Sequence, residues 1–233
     1  DDERHLGALV AADILGHWNF AMHVKSEIPL SRGLGSSSAL AVGAAVVAGA
    51  KDPLAVGTKI DGHAENAAAS LLGGLVVASV HERDGIVVRP MPLDGEWRFV
   101  VVVPDQELAT AEARRVLPKL VPFNDAVRNL NAFGLLLAGF ADHTEFASGA
   151  MDDYLHQPYR MGLLPFAAPL LATLRESGAS GSCWSGAGST MLGLATRDKA
   201  DAVAQAATAF LRDQGVAGDV HILEADRHGL VTS

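Results

Sequence analysis

The residues with the clearest chemical potential lie in one segment of small residues near the start of the chain. It reads Pro29-Leu-Ser-Arg-Gly33-Leu-Gly35-Ser-Ser-Ser-Ala39. Glycines let the backbone approach a ligand, and the free amides and dipole at a helix start favour an anion. Serine hydroxyls can add donors and a metal ligand. The spacing therefore predicts a phosphate site, although it matches neither the P-loop with its Gly-Lys-Ser/Thr nor the dinucleotide fingerprint.

A conformational explanation of the same segment stays open at this point. Small residues also permit a tight turn and close helix packing, with Ser37 or Ser38 as the N-cap of the following helix. That explanation accounts for the glycines and for one serine. It does not account for three consecutive serines after two glycines. We therefore favour the phosphate site.

The elements that must position this segment follow from hydrophobic periodicity. Apolar residues at helical spacing predict helices over 4–20, 38–50, 53–60, 124–141, 167–177 and 198–213. Alternation or short apolar runs predict strands over 22–28, 75–80, 86–88, 99–103, 191–194 and 219–224. Asp84-Gly85 makes 75–88 a hairpin. Strands that alternate with helices in this way predict a mixed α+β chain.

Composition excludes several classes of protein. The single cysteine among 233 residues excludes a disulfide framework within the chain and a multi-cysteine zinc site, which favours a reducing, cytoplasmic compartment. Apolar stretches are broken well short of the ~20 residues that a membrane helix needs. Lys+Arg 18 against Asp+Glu 27 gives a net charge of −9, which argues against nucleic acid as a partner. We expect a protein that binds small molecules.

Five segments, in order, resemble motifs of the GHMP kinase superfamily of small-molecule kinases. The first is the segment at 29–39. The segments Asp61-Gly-His-Ala-Glu-Asn66 with its downstream Gly73-Gly74, Thr110–Pro118 and His156-Gln-Pro-Tyr-Arg160 resemble homoserine kinases in particular. Ser185-Gly-Ala-Gly-Ser189 resembles the superfamily's glycine-rich third motif. Together these segments span most of the chain.

This resemblance implies the α+β GHMP kinase fold. An N-terminal nucleotide-binding domain like ribosomal protein S5 is expected over residues 1–95, and a C-terminal ferredoxin-like α+β domain over 96–233. The implied activity is ATP-dependent phosphorylation of the side-chain hydroxyl of L-homoserine, a step of threonine biosynthesis. ATP and Mg2+ are the implied cofactors, an amino acid is the implied substrate, and the family also admits a homodimer.

The resemblance assigns roles position by position. Nucleotide binding falls on Pro29, Arg32, Gly33, Leu34, Gly35, Ser36, Ser37 and Ser38. Binding of the zwitterionic acceptor falls on Glu65, Asn66, Thr110, Arg114, Arg160 and Gly186, since forked arginine donors suit a carboxylate. Ser37 and Asp61 would hold Mg2+, which prefers oxygen ligands. Ser37, Asp61 and Arg160 are the candidate catalytic residues.

No dedicated general base is predicted, because phosphoryl transfer depends mainly on positioning and on charge neutralisation. Isolated loop histidines are usually solvated or hydrogen-bonded, so His63 and His156 are expected to lie outside the chemistry. An arbitrary arginine is more often a solvated or paired surface side chain, and only the motif context favours function for Arg114 and Arg160. Cys183 is predicted to be a packed small residue.

The chain departs from the family pattern at several positions. Asp61 and Glu65 exchange an expected Glu and Asp, Ala64 replaces a proline, and Ser189 replaces a usual proline. A shift of about 1 Å at a catalytic ligand can cost about a hundredfold in rate. Full activity therefore does not follow from the motifs alone.

The family's first motif, an Asn-Leu-Gly-x-Gly-Phe-Asp-like segment, has no counterpart before residue 29. The sequence also opens without an initiator methionine, so we expect the N-terminal domain to be truncated. Two alternatives to homoserine phosphorylation stay open. One is a kinase for another small alcohol such as threonine, and the other is a nucleotide-binding pseudokinase without turnover.

Overall fold

The chain folds into two compact units in a computed structural model that describes residues 5–232. The first unit comprises the described parts of Asp1–Pro29, Gly35–Met91 and Ala225–Ser233, and the second comprises Leu30–Leu34 and Pro92–Glu224. The phosphate-loop segment is thus shared, because only residues 30–34 of it belong to the second unit. The boundary after residue 95 stays a prediction.

The first unit is mainly helical. Its elements are α1 (Leu6–Leu15), α2 (Ser36–Val47), α3 (Pro53–Asp61), α4 (Glu65–Leu72), β1 (Leu75–His81) and β2 (Gly85–Met91). Small residues let α2 pack closely against its neighbours, and its Ala41, Ala44 and Ala45 are buried with Val10 of α1. A Cβ on Gly57 of α3 would lie 2.7 Å from Val42 and 2.8 Å from Ala67. The close approach of these helices therefore depends on glycine at this position.

The second unit is built around a four-stranded antiparallel sheet with the order β4-β5-β3-β6. Its elements are β3 (Trp97–Pro104), α5 (Thr110–Arg115), α6 (Phe123–Ala141), α7 (Gln157–Arg160), α8 (Ala167–Glu176), β4 (Gly181–Trp184), β5 (Met191–Thr196), α9 (Ala200–Gln214) and β6 (Gly218–Leu223), with 3-10 turns at His143–Glu145 and Met161–Leu163. The order β3-α8-β4-β5-α9-β6 is the ferredoxin-like β-α-β-β-α-β pattern.

Most of the secondary structure predicted from periodicity is confirmed. The hairpin pairs Leu75 with Met91 and His81 with Gly85, and the apolar run at 99–103 becomes the sheet strand with partners on both edges. The six predicted helices are present with shifted ends. In the described part of the chain, no helix is long and apolar enough to span a bilayer.

The strand predicted over residues 22–28 is wrong. These residues form no strand, and all of them except Met22 are exposed. Alternation of apolar and polar side chains satisfies only one requirement of a strand, because the backbone also needs a partner with which to form a ladder. Conversely, β4 was missed because Gly-Ser-Cys-Trp carries no alternation, and its pairing with β5 defines it.

Candidate active site

Helix α2 begins at the serine run of the phosphate loop. Gly35 is its N-cap with φ 72° and ψ 21°, a left-handed conformation that suits glycine, and no side chain caps the helix. The alternative that Ser37 or Ser38 serves as the N-cap is therefore wrong. The first amides of a helix have no intrahelical acceptor, so those of Ser36–Ser38 are available for an anion.

The two serines after Ser36 instead donate to Asp61, the last residue of α3. Ser37 Oγ lies 2.9 Å from Asp61 Oδ1, and Ser38 Oγ donates to Oδ2. Asn66 Nδ2 also donates to Oδ2, at 3.3 Å. Ser38 is buried whereas Ser37 is exposed. The fold therefore brings the loop serines, the proposed carboxylate ligand and Asn66 into one cluster within the first unit.

The second acidic position of that motif, Glu65, is not part of this cluster. It begins α4, is exposed, and its Oε2 lies 3.6 Å from Nδ1 of His63, beyond hydrogen-bond length. Asn66 lies beside the N-cap instead, since a Cβ on Gly35 would be 3.6 Å from Asn66 Cγ. Asp61, although one methylene shorter than the family's glutamate, still reaches both serines.

In the second unit, the Arg32 side chain connects the first part of the loop to residues 105–107. Its Nη2 donates to the carbonyl of Asp105, its Nη1 lies 3.5 Å from Glu107 Oε1, and its side chain is 13% exposed. Its own carbonyl accepts from Thr190 N at 3.1 Å. The Arg32 guanidinium is thus engaged by the protein itself.

Gly33 lies directly against the third glycine motif. Ser185 Oγ donates to the Gly33 carbonyl at 2.8 Å. Gly33 has φ 75°, and a Cβ there would lie 2.1 Å from the carbonyl oxygen of Ser185 and 2.7 Å from Gly188 N. Both the conformation and the space therefore require glycine. Two motifs separated by about two thirds of the chain meet here within one unit.

Arg160 closes α7 and is 8% exposed. Its Nε donates to the carbonyl of Ala113 at 3.3 Å and its Nη1 to that of Gly186 at 2.9 Å. Burial lowers the pKa of Arg160, while the charge of Asp153 opposes this shift. Among the described residues, no carboxylate pairs with Arg160 and its Nη2 makes no hydrogen bond. The structure therefore brings Arg160 to the predicted Gly186 and to Ala113, a residue of the α5 segment that carries Thr110 and Arg114.

The other predicted acceptor residues of this unit lie on α5. Thr110 is its first residue and Arg114 belongs to its last turn, and both are exposed. The positive charge of Arg114 lowers the pKa of Arg160, so the two guanidinium groups share one electrostatic environment. Such a pair of cations suits an anionic ligand group.

Two polar residues near this cluster were not singled out by the sequence analysis. Asp153 accepts from Leu155 N at 2.8 Å and from Gln157 N at 2.7 Å. Burial alone would raise the pKa of Asp153, but hydrogen bonds from His156, Leu155 and Gln157 lower it to about 2. Gln157 Oε1 accepts from Trp184 N at 2.9 Å. An Asp shortly before a Pro-containing turn is a helix-start signal that could have identified the first of them.

His156 and Cys183, for which the sequence predicts no part in the chemistry, both lie near Asp153. His156 is exposed, and its Nδ1 lies 3.5 Å from Asp153 Oδ1. Burial raises the pKa of the Cys183 thiol to about 12, which disfavours the reactive thiolate. Cys183 is half-buried in β4, and its role as a packed residue stays a prediction.

The comparisons with known proteins agree with this arrangement. Residues 5–74 match the family model for the GHMP kinase N-terminal domain, and residues 125–213 match that for GHMP kinases C terminal. The chain belongs to the GHMP kinase family. The predicted fold class and the predicted ATP-dependent small-molecule kinase are thereby confirmed.

Relatives of this GHMP kinase that match most of the chain include homoserine kinases. A homoserine kinase from Carboxydothermus hydrogenoformans is 36% identical over 222 residues, which cover 91% of this chain and 72% of that protein. A homoserine kinase from Picosynechococcus sp. is 37% identical over 224 residues, covering 92% and 72%. The crystal structure of homoserine kinase from Cytophaga hutchinsonii has the same fold, with a TM-score of 0.80, 24% identity, and coverage of 96% of this chain and 76% of that chain.

Proposed function

We propose that this GHMP kinase transfers the γ-phosphoryl group of ATP to the side-chain hydroxyl of L-homoserine. Two relatives with more than 30% identity over nine tenths of the chain are homoserine kinases. The observation that carries the proposal is the buried Arg160 guanidinium, which binds two carbonyls but no carboxylate of the described chain. A buried guanidinium that forms no ion pair with a carboxylate of the described chain suits the carboxylate of an amino-acid substrate.

The oxygen cluster of the first unit fits Mg2+. Octahedral Mg2+ with ligands at about 2.0–2.1 Å has neighbouring ligand oxygens about 2.9 Å apart. Ser37 Oγ and Asp61 Oδ1 are separated by 2.9 Å, so both can occupy adjacent positions of one coordination shell. Ser38 and Asn66 would orient the carboxylate through its other oxygen. When bound, Mg2+ neutralises charge on the phosphates.

The remaining nucleotide contacts would come from the backbone. The free amides at the start of α2 would donate to a phosphate, whose negative charge the helix dipole favours. The carbonyl of Gly33 is held by Ser185, which keeps this part of the loop in one conformation. Pro29, Arg32, Leu34 and Gly35 complete the proposed loop. In this arrangement Arg32 acts by holding the loop to Asp105 rather than by reaching the nucleotide.

The transfer step needs no dedicated base in this arrangement. The substrate oxygen forms a bond to the γ-phosphorus while the bond from that phosphorus to the bridging oxygen of ADP breaks, and the hydroxyl proton passes to solvent water. In a loose transition state that proton stays on the oxygen until late, so positioning and charge neutralisation dominate. Asp61 already accepts three hydrogen bonds, which suits a ligand rather than a proton acceptor.

The acceptor would be oriented by both of its charged groups. Within the second unit, Arg160 and Arg114 would bind its carboxylate, and the hydroxyl oxygen of Thr110 would accept from its ammonium group, with Gly186 beside Arg160. The dimeric state and the cytoplasmic location expected from the sequence stay predictions. Light scattering after gel filtration tests the first of them.

A coupled ADP-release assay tests the proposal. The chain is incubated with Mg-ATP and, separately, with L-homoserine, L-threonine, L-serine, mevalonate or galactose. Selective turnover of homoserine is expected, with phosphate found on the side-chain oxygen by mass spectrometry. Turnover of a different alcohol would replace the proposed acceptor, and nucleotide binding without any turnover would favour the pseudokinase alternative.

A further inference from the structure

We infer that Gln157 is a positioning residue: together with Arg160 it clamps the glycine segment 184–190, and through that segment it sets the conformation of loop residues 32 and 33. The inference rests on the proposed function for its readout in turnover. Its geometry, however, lies wholly within the second unit.

The clamp consists of two side chains of one short helix. Gln157 and Arg160 are the first and last residues of α7, and side chains three positions apart share a helix face. Gln157 Oε1 accepts from Trp184 N at 2.9 Å, while Arg160 Nη1 donates to the Gly186 carbonyl at 2.9 Å. One side-chain acceptor and one side-chain donor therefore form hydrogen bonds with the N–H of Trp184 and the carbonyl of Gly186. These two bonds fix the position and the orientation of Ser185, which lies between those residues in the chain.

The clamped segment in turn holds the phosphate loop. Ser185 Oγ donates to the Gly33 carbonyl at 2.8 Å, and Thr190 N donates to that of Arg32 at 3.1 Å. The segment is closed on itself, because Ser185 N donates to the Thr190 carbonyl at 2.9 Å and Gly188 N to that of Ser185 at 2.9 Å. A displacement at Trp184 N is thus transmitted to Gly33.

The start of the helix α7 is itself anchored. Gln157 N donates to Asp153 Oδ2 at 2.7 Å, so the residue is held by its backbone on one side and holds Trp184 with its side chain on the other. The acceptor arginine and the phosphate loop consequently share one hydrogen-bonded path. By thermodynamic reciprocity, an acceptor that binds Arg160 and acts through this path changes the affinity for ATP by the same factor by which ATP changes the affinity for the acceptor.

The first test measures nucleotide binding without any acceptor, using titration calorimetry with a non-hydrolysable ATP analogue and Mg2+. Gln157→Ala leaves Trp184 N without its acceptor, and we expect analogue binding to weaken roughly threefold to tenfold. Gln157→Glu keeps a side-chain oxygen at the same reach and restores binding to the wild-type value. Gln205→Ala, on the exposed face of α9, is the matched control and changes nothing.

The second test asks whether the path is shared. Ser185→Ala removes the hydrogen bond to the Gly33 carbonyl. The double variant with Gln157→Ala should bind the analogue as well as the single variant that has the lower affinity, because both substitutions act through one segment. Effects that multiply would overturn the inference. In turnover, Gln157→Ala is expected to lower kcat/KM for the acceptor by about tenfold to a hundredfold.

Unfolding midpoints measured beside each titration exclude a folding defect. If the alanine variant fails to fold, Gln157→Asn replaces it in the test. Asparagine keeps the amide group but is one methylene too short to reach Trp184 N. Wild-type binding by both variants, or failure of Gln157→Glu to restore it, overturns the inference. If the wild-type chain binds the analogue but phosphorylates no alcohol, only the proposed function is refuted. The calorimetric comparison of the variants then still decides the role of Gln157.

Discussion

The hydroxyl of Ser37 and the carboxylate of Asp61 lie 2.9 Å apart although 24 positions separate them in the chain. One residue belongs to the first turn of α2 and the other ends α3. The packing of these two helices therefore joins the phosphate loop to the motif that follows it. The distance matches that of two neighbouring oxygens around one magnesium ion.

Asp61→Asn keeps the size of the side chain and removes its charge. We expect the Mg2+ concentration for half-maximal activity to rise about tenfold to a hundredfold, with Ser37→Ala acting in the same direction. The double variant should fall short of the product of the two effects, because both residues serve one ion. Magnesium titrations of ADP release measure this. Asp201→Asn on α9 is the control, and an unchanged magnesium dependence in Asp61→Asn would contradict the assignment.

Gly33→Ala and Gly43→Ala should have opposite consequences. Gly33 has φ 75° and no room for a Cβ, so alanine there is expected to destabilise the fold by about 1–3 kcal/mol and to weaken ATP binding. Gly43 lies inside α2 with open space around it, so alanine should stabilise by about 0.5–1 kcal/mol and leave the KM for ATP unchanged. Urea unfolding and steady-state kinetics test the pair, and equal behaviour would refute the steric argument.

Arg160→Lys keeps the positive charge and loses the fork that binds two carbonyls and a carboxylate. We expect the KM for the acceptor to rise about tenfold, more than that for ATP. Arg160→Ala should also lower the free energy of unfolding by about 1–3 kcal/mol, because the carbonyls of Ala113 and Gly186 lose their donors. Arg115→Lys on the exposed side of α5 is the matched control. A lysine variant with the wild-type acceptor KM would contradict the role of Arg160.

The pair His143–Asp94 should make stability depend on pH. Nδ1 of His143 lies 2.7 Å from Asp94 Oδ2, and this hydrogen bond raises the pKa of His143. A histidine whose pKa is higher in the folded than in the unfolded state stabilises the fold. This stabilisation is complete below the unfolded pKa of about 6.5 and is lost as the pH rises through the folded pKa. We expect His143→Gln to destabilise more at pH 6 than at pH 9.

Urea midpoints of the wild type and of His143→Gln at both pH values measure this difference. The carboxyl group adds an effect of opposite sign at acid pH. Hydrogen bonds from His143 N and Glu96 N, and then from the His143 ring, hold the pKa of Asp94 well below its usual 3.8, so its contribution is present above that value and is lost as pH falls. An equal destabilisation at pH 6 and pH 9 would show that the pair does not titrate with folding.

Much of the local structure was readable from local patterns. The Asp84-Gly85 hairpin and the apolar run of β3 depend on residues close together in sequence, and both were predicted correctly. The strand predicted over 22–28 was wrong, although its side chains alternate as in a strand, because its backbone has no ladder partner in the described chain. Prediction succeeded where a local preference was also satisfied by the fold.

The sequence by itself determined the chemistry that the chain can offer: glycines and serines before a helix, one carboxylate downstream, and arginines for an anionic group. These depend on residue type and short spacing alone. Only the tertiary structure decided how the groups are used, with Ser37 on Asp61 rather than capping a helix, Arg32 on Asp105, and two donors of Arg160 on backbone carbonyls. Each of these bonds joins residues far apart in the chain, and their meeting depends on helix and sheet packing that no local pattern encodes.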